Sequence, residues 1–317
     1  MYEEYFGLNA KPFRITPDPR YLFMSDRHKE GLAHLLYGVT DSGGFIQLTG
    51  EVGTGKTTLI RALLEQLPSK VEIALIMHTQ ITAKEFLSEI CNEFNIDNHG
   101  ESTIDLVNTL NSFLLEQHAK GRKIILLIDE AQNLTTDVLE QIRLLTNLET
   151  EKDKLLQIIL IGQPELRMVL AQNNLRQLSQ RVTARYHLKP LSKAETFLYI
   201  EHRLRISGSK IEIFKKNAKK EVFRYSSGIP RLINIICDRA LLGAYSINTR
   251  EVDKNLVIKA KNEIQGHEII PRKSNWTATY ILIVMIIIII FTNELGYIDS
   301  QYLHDIAKDF LKVTKID

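Results

Sequence analysis

Residues 50–57 read Gly-Glu-Val-Gly-Thr-Gly-Lys-Thr and fit the spacing G-x-x-x-x-G-K-[ST]. An apolar segment, residues 45–49, precedes them, and a helical pattern starts at Lys56. Gly50, Gly53 and Gly55 let the backbone turn tightly and bring its N–H groups onto phosphate oxygens. A strand, a glycine-rich loop and a helix in that order place an anion at a helix N-terminus, where unpaired N–H groups and the helix dipole favour it. Gly50, Glu51, Val52, Gly53, Thr54, Gly55, Lys56, Thr57 and Thr58 are therefore the expected phosphate cradle. Lys56 is expected on the β- and γ-phosphates, and the Thr57 hydroxyl on Mg²⁺.

A second motif strengthens this. Residues 124–128 are five consecutive aliphatics, followed by Asp129 and Glu130. Such a run marks a parallel strand buried on both faces. Asp129 then falls at its carboxyl end, where open α/β sheets place their ligands, and is expected to hold the metal. Glu130 is expected to orient and deprotonate an attacking water. The pair of motifs implies binding of a nucleoside triphosphate with Mg²⁺, followed by hydrolysis.

The rest of the chain alternates strands and helices. A helix is expected from 26 to about 39, with Leu32, Leu35, Leu36 and Val39 at helical spacing. A strand follows at 71–78. Thr82 and Glu85 form a capping box for a helix to about 94. Residues 102–117 and 136–148 have helical periodicity, and 155–161 is an apolar strand. This pattern predicts a parallel sheet with helices on both faces. Gln163 lies just after the last strand. Its side chain is placed either to reach the γ-phosphate and the attacking water or to serve as a turn residue before a helix.

No strand alternation is evident after Pro190. Ser192 and Glu195 form another capping box, and residues 191–264 read as a small all-helical lid. Within it, Gly228-Ile229-Pro230-Arg231 opens a helix to about 245, and Arg231 can fold back onto bound phosphates. Residues 1–25, rich in aromatics and prolines, read as an extended segment packed over the nucleotide domain at 26–190.

Residues 276–292, from Trp276 to Thr292, carry no charge, proline or glycine. A helix of that length spans about 25 Å, near the low end for crossing a bilayer core. Trp276 and Tyr280 sit near one end as interfacial aromatics do. Arg272 and Lys273 precede the run, in a polar linker at 265–275, while Glu294 and Asp299 follow it. The bias of positive charge keeps residues 1–275 in the cytoplasm and sends a short tail, 293–317, across the membrane. In that tail Tyr302, Leu303, Ile306, Phe310 and Leu311 can form one amphipathic helix.

Lys and Arg number 40 against 38 for Asp and Glu, so no strong basic field marks a dedicated nucleic-acid binder. Lys215, Lys216, Lys219 and Lys220 make only a modest basic face. The two cysteines, Cys91 and Cys237, lack partner spacing and are expected to be reduced and buried.

Taken together these motifs resemble the AAA+ ATPases, and within them the general secretion pathway protein A family (ExeA type). The likeness is carried by the opening (Met1-Tyr2, Phe6-Gly7-Leu8, Pro12-Phe13, Pro17-Asp18-Pro19), by Leu-Leu-Tyr-Gly at 35–38 and by 49–58. Ile-Asp-Glu-Ala-Gln at 128–132, Gly-Gln-Pro-Glu-Leu at 162–166 and Leu-Ser-Gln-Arg at 178–181 complete it. The resemblance implies ATP as the nucleotide, with Gln163 as sensor 1 and Arg231 as sensor 2. It also implies that Arg181, with Arg185 as the competing candidate, is an arginine finger completing a neighbouring subunit's site. A finger in trans implies a homo-oligomer, a ring. The family's setting implies anchoring in a bacterial inner membrane beside a partner membrane protein, and assembly of the secretin of a type II secretion system. Only 25 residues follow Thr292, too few for the peptidoglycan-binding domain that the family carries there. The alternatives are an AAA+ ATPase of DNA transposition or replication, or of pilus or exopolysaccharide export.

Overall fold

The computed structural model describes residues 1–16, 18–41, 44–97 and 102–265. In chain order the elements are α1 (Tyr2–Phe6), α2 (Asp26–Asp41), β1 (Phe45–Gly50), α3 (Lys56–Gln66), β2 (Val71–Ile76), α4 (Ala83–Glu93), α5 (Thr103–Ala119) and β3 (Lys123–Ile128). They continue with α6 (Thr136–Leu145), β4 (Leu156–Gly162), α7 (Glu165–Leu170), α8 (Arg176–Gln180) and β5 (Val182–Leu188). The helices α9 (Lys193–Ile206), α10 (Lys216–Ser226), α11 (Pro230–Ser246) and α12 (Lys254–Gln265) follow. Met1–Ile264 form one compact unit, and a second unit begins at Gln265.

The five strands form one parallel sheet in the order β2-β3-β4-β1-β5. Alternation along β3 explains the three layers. Ile124, Leu126 and Ile128 face α4, α5 and α6 through Leu87, Leu110 and Leu139. Ile125 and Leu127 face the other way, onto α2 and α3 through Leu35 and Leu63. Both faces are covered, which is why β3 reads as an unbroken aliphatic run, while β1 and β4 are apolar apart from the buried Gln47, Thr49 and Gln157. The capping boxes at Thr82 with Glu85 and at Ser192 with Glu195 are both formed. A third, Ser102 with Asp105, starts α5.

Two features differ from expectation. β5 is an edge strand absent from the expected elements. Val-Thr-Ala-Arg-Tyr-His-Leu is only half buried, so it alternates polar and apolar rather than forming an apolar run. Residues 1–25 are also not simply extended. They hold the short α1 and a single 3₁₀ turn at Pro19–Tyr21, and they pack chiefly on the lid. Tyr2, Phe6, Leu8 and Phe13 share one core with Ile200, Leu204, Phe214 and Ile233. Burial of Phe13, 1% exposed, contributes about 2–3 kcal/mol. The buried Arg203 of α9 fastens the segment, donating to the carbonyls of Pro12 (2.5 Å) and Arg14 (3.3 Å).

Cys91 and Cys237 are buried and free, and burial pushes both thiols up. No described helix is long and apolar enough to cross a membrane. The apolar run 276–292, the linker from 266 and the tail 293–317 lie outside the described residues.

Candidate active site

The order β3-β4-β1 decides where the site forms. Parallel strands present all their carboxyl ends on one edge of the sheet. The residues that follow those three neighbouring ends are Asp129 and Glu130 after β3, Gln163 after β4, and the glycine-rich loop after β1. Segments more than thirty residues apart are thereby brought side by side.

The loop itself is set by backbone. Gly53 (φ 80°) and Gly55 (φ 104°) occupy the left-handed region. Lys56 begins α3 and is 7% exposed. Its Nζ donates to the carbonyls of Gly50 (2.8 Å) and Glu51 (3.2 Å). Burial holds the Lys56 amine below its usual range, although Glu130, Asp129 and Glu51 pull it the other way. Thr54 lies buried, with its hydroxyl on the Glu51 carbonyl at 2.8 Å. Glu51 and Val52 are exposed.

A cavity of about 580 Å³ opens over this loop, lined by Val52–Thr58, Glu130 and Arg231. Thr57 and Thr58 sit in the first turn of α3, facing it. Arg231 is the second residue of α11, and its backbone N–H donates to the Gly53 carbonyl at 3.3 Å. The lid therefore closes one side of the cavity, and Arg14, Ile15, Thr16, Tyr21 and Phe23 close another.

Burial pushes the Asp129 carboxyl above the usual carboxylate range, even though the Glu130 backbone N–H donates to its Oδ1 at 2.8 Å. Glu130 has left-handed backbone at φ 50°, which is strained for a residue with a side chain. Its Oε2 accepts from Gln132 Nε2 at 2.5 Å and from Gln163 Nε2 at 3.3 Å.

Arg181 and Arg185 do not line this cavity. Arg181 Nη1 donates to Thr146 Oγ1 at 2.6 Å, at the end of α6. Arg185 is exposed and donates to the Ser179 carbonyl at 2.6 Å.

Sequence reasoning missed several residues of the site. His28 is buried beneath the loop. Its Nε2 pairs with the Thr54 carbonyl at 3.2 Å and its Nδ1 with Ser25 Oγ at 2.7 Å. Burial lowers its pKa. Tyr199, Arg203 and Asn234 of the lid also line the cavity, linked by Tyr199 Oη to Asn234 Oδ1 (2.9 Å) and Arg203 Nη1 to Tyr199 Oη (2.8 Å). Tyr199 and Arg203 share helical spacing with Ile200 and Leu204, and Asn234 with Cys237 and Leu241, but their polarity hides them among the apolar residues of those stripes. Gln132 had one signal, its position two residues after Glu130.

Residues 39–170 match the AAA domain. The chain thus carries a P-loop nucleoside-triphosphatase fold. It is 49% identical over 267 residues to general secretion pathway protein A of Aeromonas hydrophila, a match covering 84% of this chain and 49% of that protein. The chain therefore spans about half the length of the curated relative it matches. Among solved structures it shares its fold with the ORC2 protein of Aeropyrum pernix (17% identity, TM-score 0.60, 80% of this chain and 72% of that one). It does so too with Cdc6p of Pyrobaculum aerophilum (19%, 0.58, 82% and 70%). Drosophila ORC bound to DNA gives 18%, 0.61, 96% and 83%. At these identities the likeness concerns the fold alone.

Proposed function

We propose that this chain is a membrane-anchored ATPase that binds ATP with Mg²⁺ and hydrolyses it to drive assembly of an envelope secretion machine. The observation that carries the hydrolytic part is the convergence of Lys56, Asp129, Glu130 and Gln163 at three adjacent strand ends.

The residue roles follow from chemistry. The N–H groups of the loop and the Lys56 ammonium bind the phosphates. Thr57 and Asp129 hold Mg²⁺, which neutralises phosphate charge when bound. The fit to a divalent cation is supported by Asp129: burial disfavours its charged form, and a cation beside it offsets that cost. One hydroxyl and one carboxylate completed by substrate phosphates suit Mg²⁺ better than a protein-only cage. Among the described residues no cluster of three or more His, Cys, Asp or Glu is poised for a metal. Glu130 orients and deprotonates the attacking water, and Gln163 senses the γ-phosphate. Arg231 folds onto the phosphates from the lid. Arg181, held by Thr146 at the end of α6, acts as a finger on a neighbouring subunit of a ring, as the family resemblance implies.

The secretion part rests on the 49% identity with general secretion pathway protein A. Residues 276–292 are the anchor, with 1–275 on the cytoplasmic side of a bacterial inner membrane and the C-terminus periplasmic. The partner is a second inner-membrane protein of the secretion machine.

The test is affinity capture of the Glu130→Gln full chain from detergent-solubilised membranes with ATP. Envelope secretion proteins should co-purify with little nucleic acid. Recovery of DNA or recombination proteins, or absence of the chain from the membrane fraction, would overturn the reading.

A further inference from the structure

Glu130, Gln132 and Gln163 form a closed hydrogen-bonded set at the ends of β3 and β4. Gln132 Oε1 accepts the backbone N–H of Gln163 at 3.0 Å. That bond decides which way the Gln132 amide faces, because only its carbonyl end can accept. Its NH₂ end is left for the Glu130 carboxylate, and Nε2 donates to Oε2 at 2.5 Å. The Gln163 side chain reaches the same oxygen at 3.3 Å. Gly162 makes the approach possible, since a Cβ there would lie 2.8 Å from Gln132 Oε1. Both amides thus grip one oxygen of a carboxylate that is otherwise exposed, and Oε1 accepts no hydrogen bond among the described residues.

We infer that Gln132 is a positioning residue for hydrolysis: it ties the Glu130 carboxylate to the backbone of Gln163, fixing its rotation and keeping Oε1 free for the attacking water. An exposed carboxylate on its own samples several rotamers, and a general base is effective only when held within hydrogen-bond reach of the proton it takes. Gln132 also makes a mechanical link between two strand ends. A shift of Gln163 when the γ-phosphate is present reaches Glu130 through one side chain. The inference rests on the reading of Glu130 as the base.

The test uses the full chain with Gln132→Ala, which removes both bonds, and Gln132→Glu. The latter has the same shape and keeps an acceptor for the Gln163 N–H but loses the donor to Glu130. Both should lower kcat about 10–100-fold, the usual cost of losing a residue that orients a site group. KM and ATP affinity should stay within about twofold, since only the transition state is affected. Adding Gln132→Ala to Glu130→Gln should cost much less than the product of the two single losses, because Gln132 acts through that carboxylate. A space-filling role would leave Gln132→Glu as active as wild type, and that result overturns the inference. Fully multiplicative losses, or a raised KM with kcat intact, overturn it too. A wild-type chain that binds ATP without hydrolysing it would instead remove the reading of Glu130 and this inference with it.

Discussion

The backbone N–H of Arg231 donates to the carbonyl of Gly53 at 3.3 Å, so the lid helix α11 begins directly on the phosphate loop. Loop and lid are therefore in direct contact, and substitution in the loop at this point should be felt by both.

Gly53→Ala tests that coupling. Gly53 has φ 80°, and a Cβ would lie 2.5 Å from Arg231 Cβ. The left-handed backbone costs about 1–2 kcal/mol for a residue with a side chain, and the contact adds to it. The variant should lose at least about tenfold in ATP affinity by calorimetry, while Val52→Ala in the same loop should change little.

Lys56→Met separates binding from folding. The methionine fills the space of a buried amine whose charged form burial already disfavours. Thermal stability of the nucleotide-free chain should be unchanged or raised, whereas ATP affinity should fall by about 100-fold or more through loss of the phosphate contact. Tight ATP binding by this variant would count against the loop assignment.

How much of this could be read from the residues alone follows from burial. β1, β3 and β4 are covered on both faces and are predominantly apolar, so the sheet and the strand-end positions of Asp129 and Gln163 were legible. β5 pairs with β1 along one side only, and Val182, Ala184, Tyr186 and Leu188 alternate with polar residues at the period of a half-buried strand, a weaker mark than an apolar run. Arg203 reads as a solvated arginine between His202 and Leu204, yet it is 7% exposed because the N-terminal segment folds over it. His28 and Gln132 act on residues brought near only by the fold, 26 and 31 positions away in the chain. Pairings of that separation leave no periodic trace.

Arg181→Ala should leave ATP binding intact and reduce turnover about 10³-fold, the lower end for an arginine finger. Mixing it with Lys56→Ala subunits, which supply a finger but bind no nucleotide, should restore activity. Absence of rescue together with the same loss in Arg185→Ala would move the role to Arg185, which holds Ser179 rather than Thr146.

Acidification should destabilise the fold through histidine burial. His28, His187 and His202 all have pKa values lowered from 6.5, chiefly by burial. In that window the unfolded chain binds more protons than the folded one, so stability rises with pH. The contribution is complete above the ordinary imidazole value. It is lost as pH falls from 6.5 through the depressed folded values. Melting temperature measured from pH 7.5 to 5 should drop, and His28→Gln should flatten part of the slope. A slope unchanged in that variant would remove His28 from the account.

The central claim is that Glu130 activates water beside a nucleotide held by Lys56. It is tested most directly by measuring ATP affinity and phosphate release on the same preparations of wild-type and Glu130→Gln full chain with Mg²⁺. Both should bind ATP with affinities within about threefold, and only wild type should release phosphate, with the variant slower by about 10²-fold or more. Equal phosphate release by the two chains, or loss of ATP binding in Glu130→Gln, would contradict the assignment of this residue and the hydrolytic site built around it.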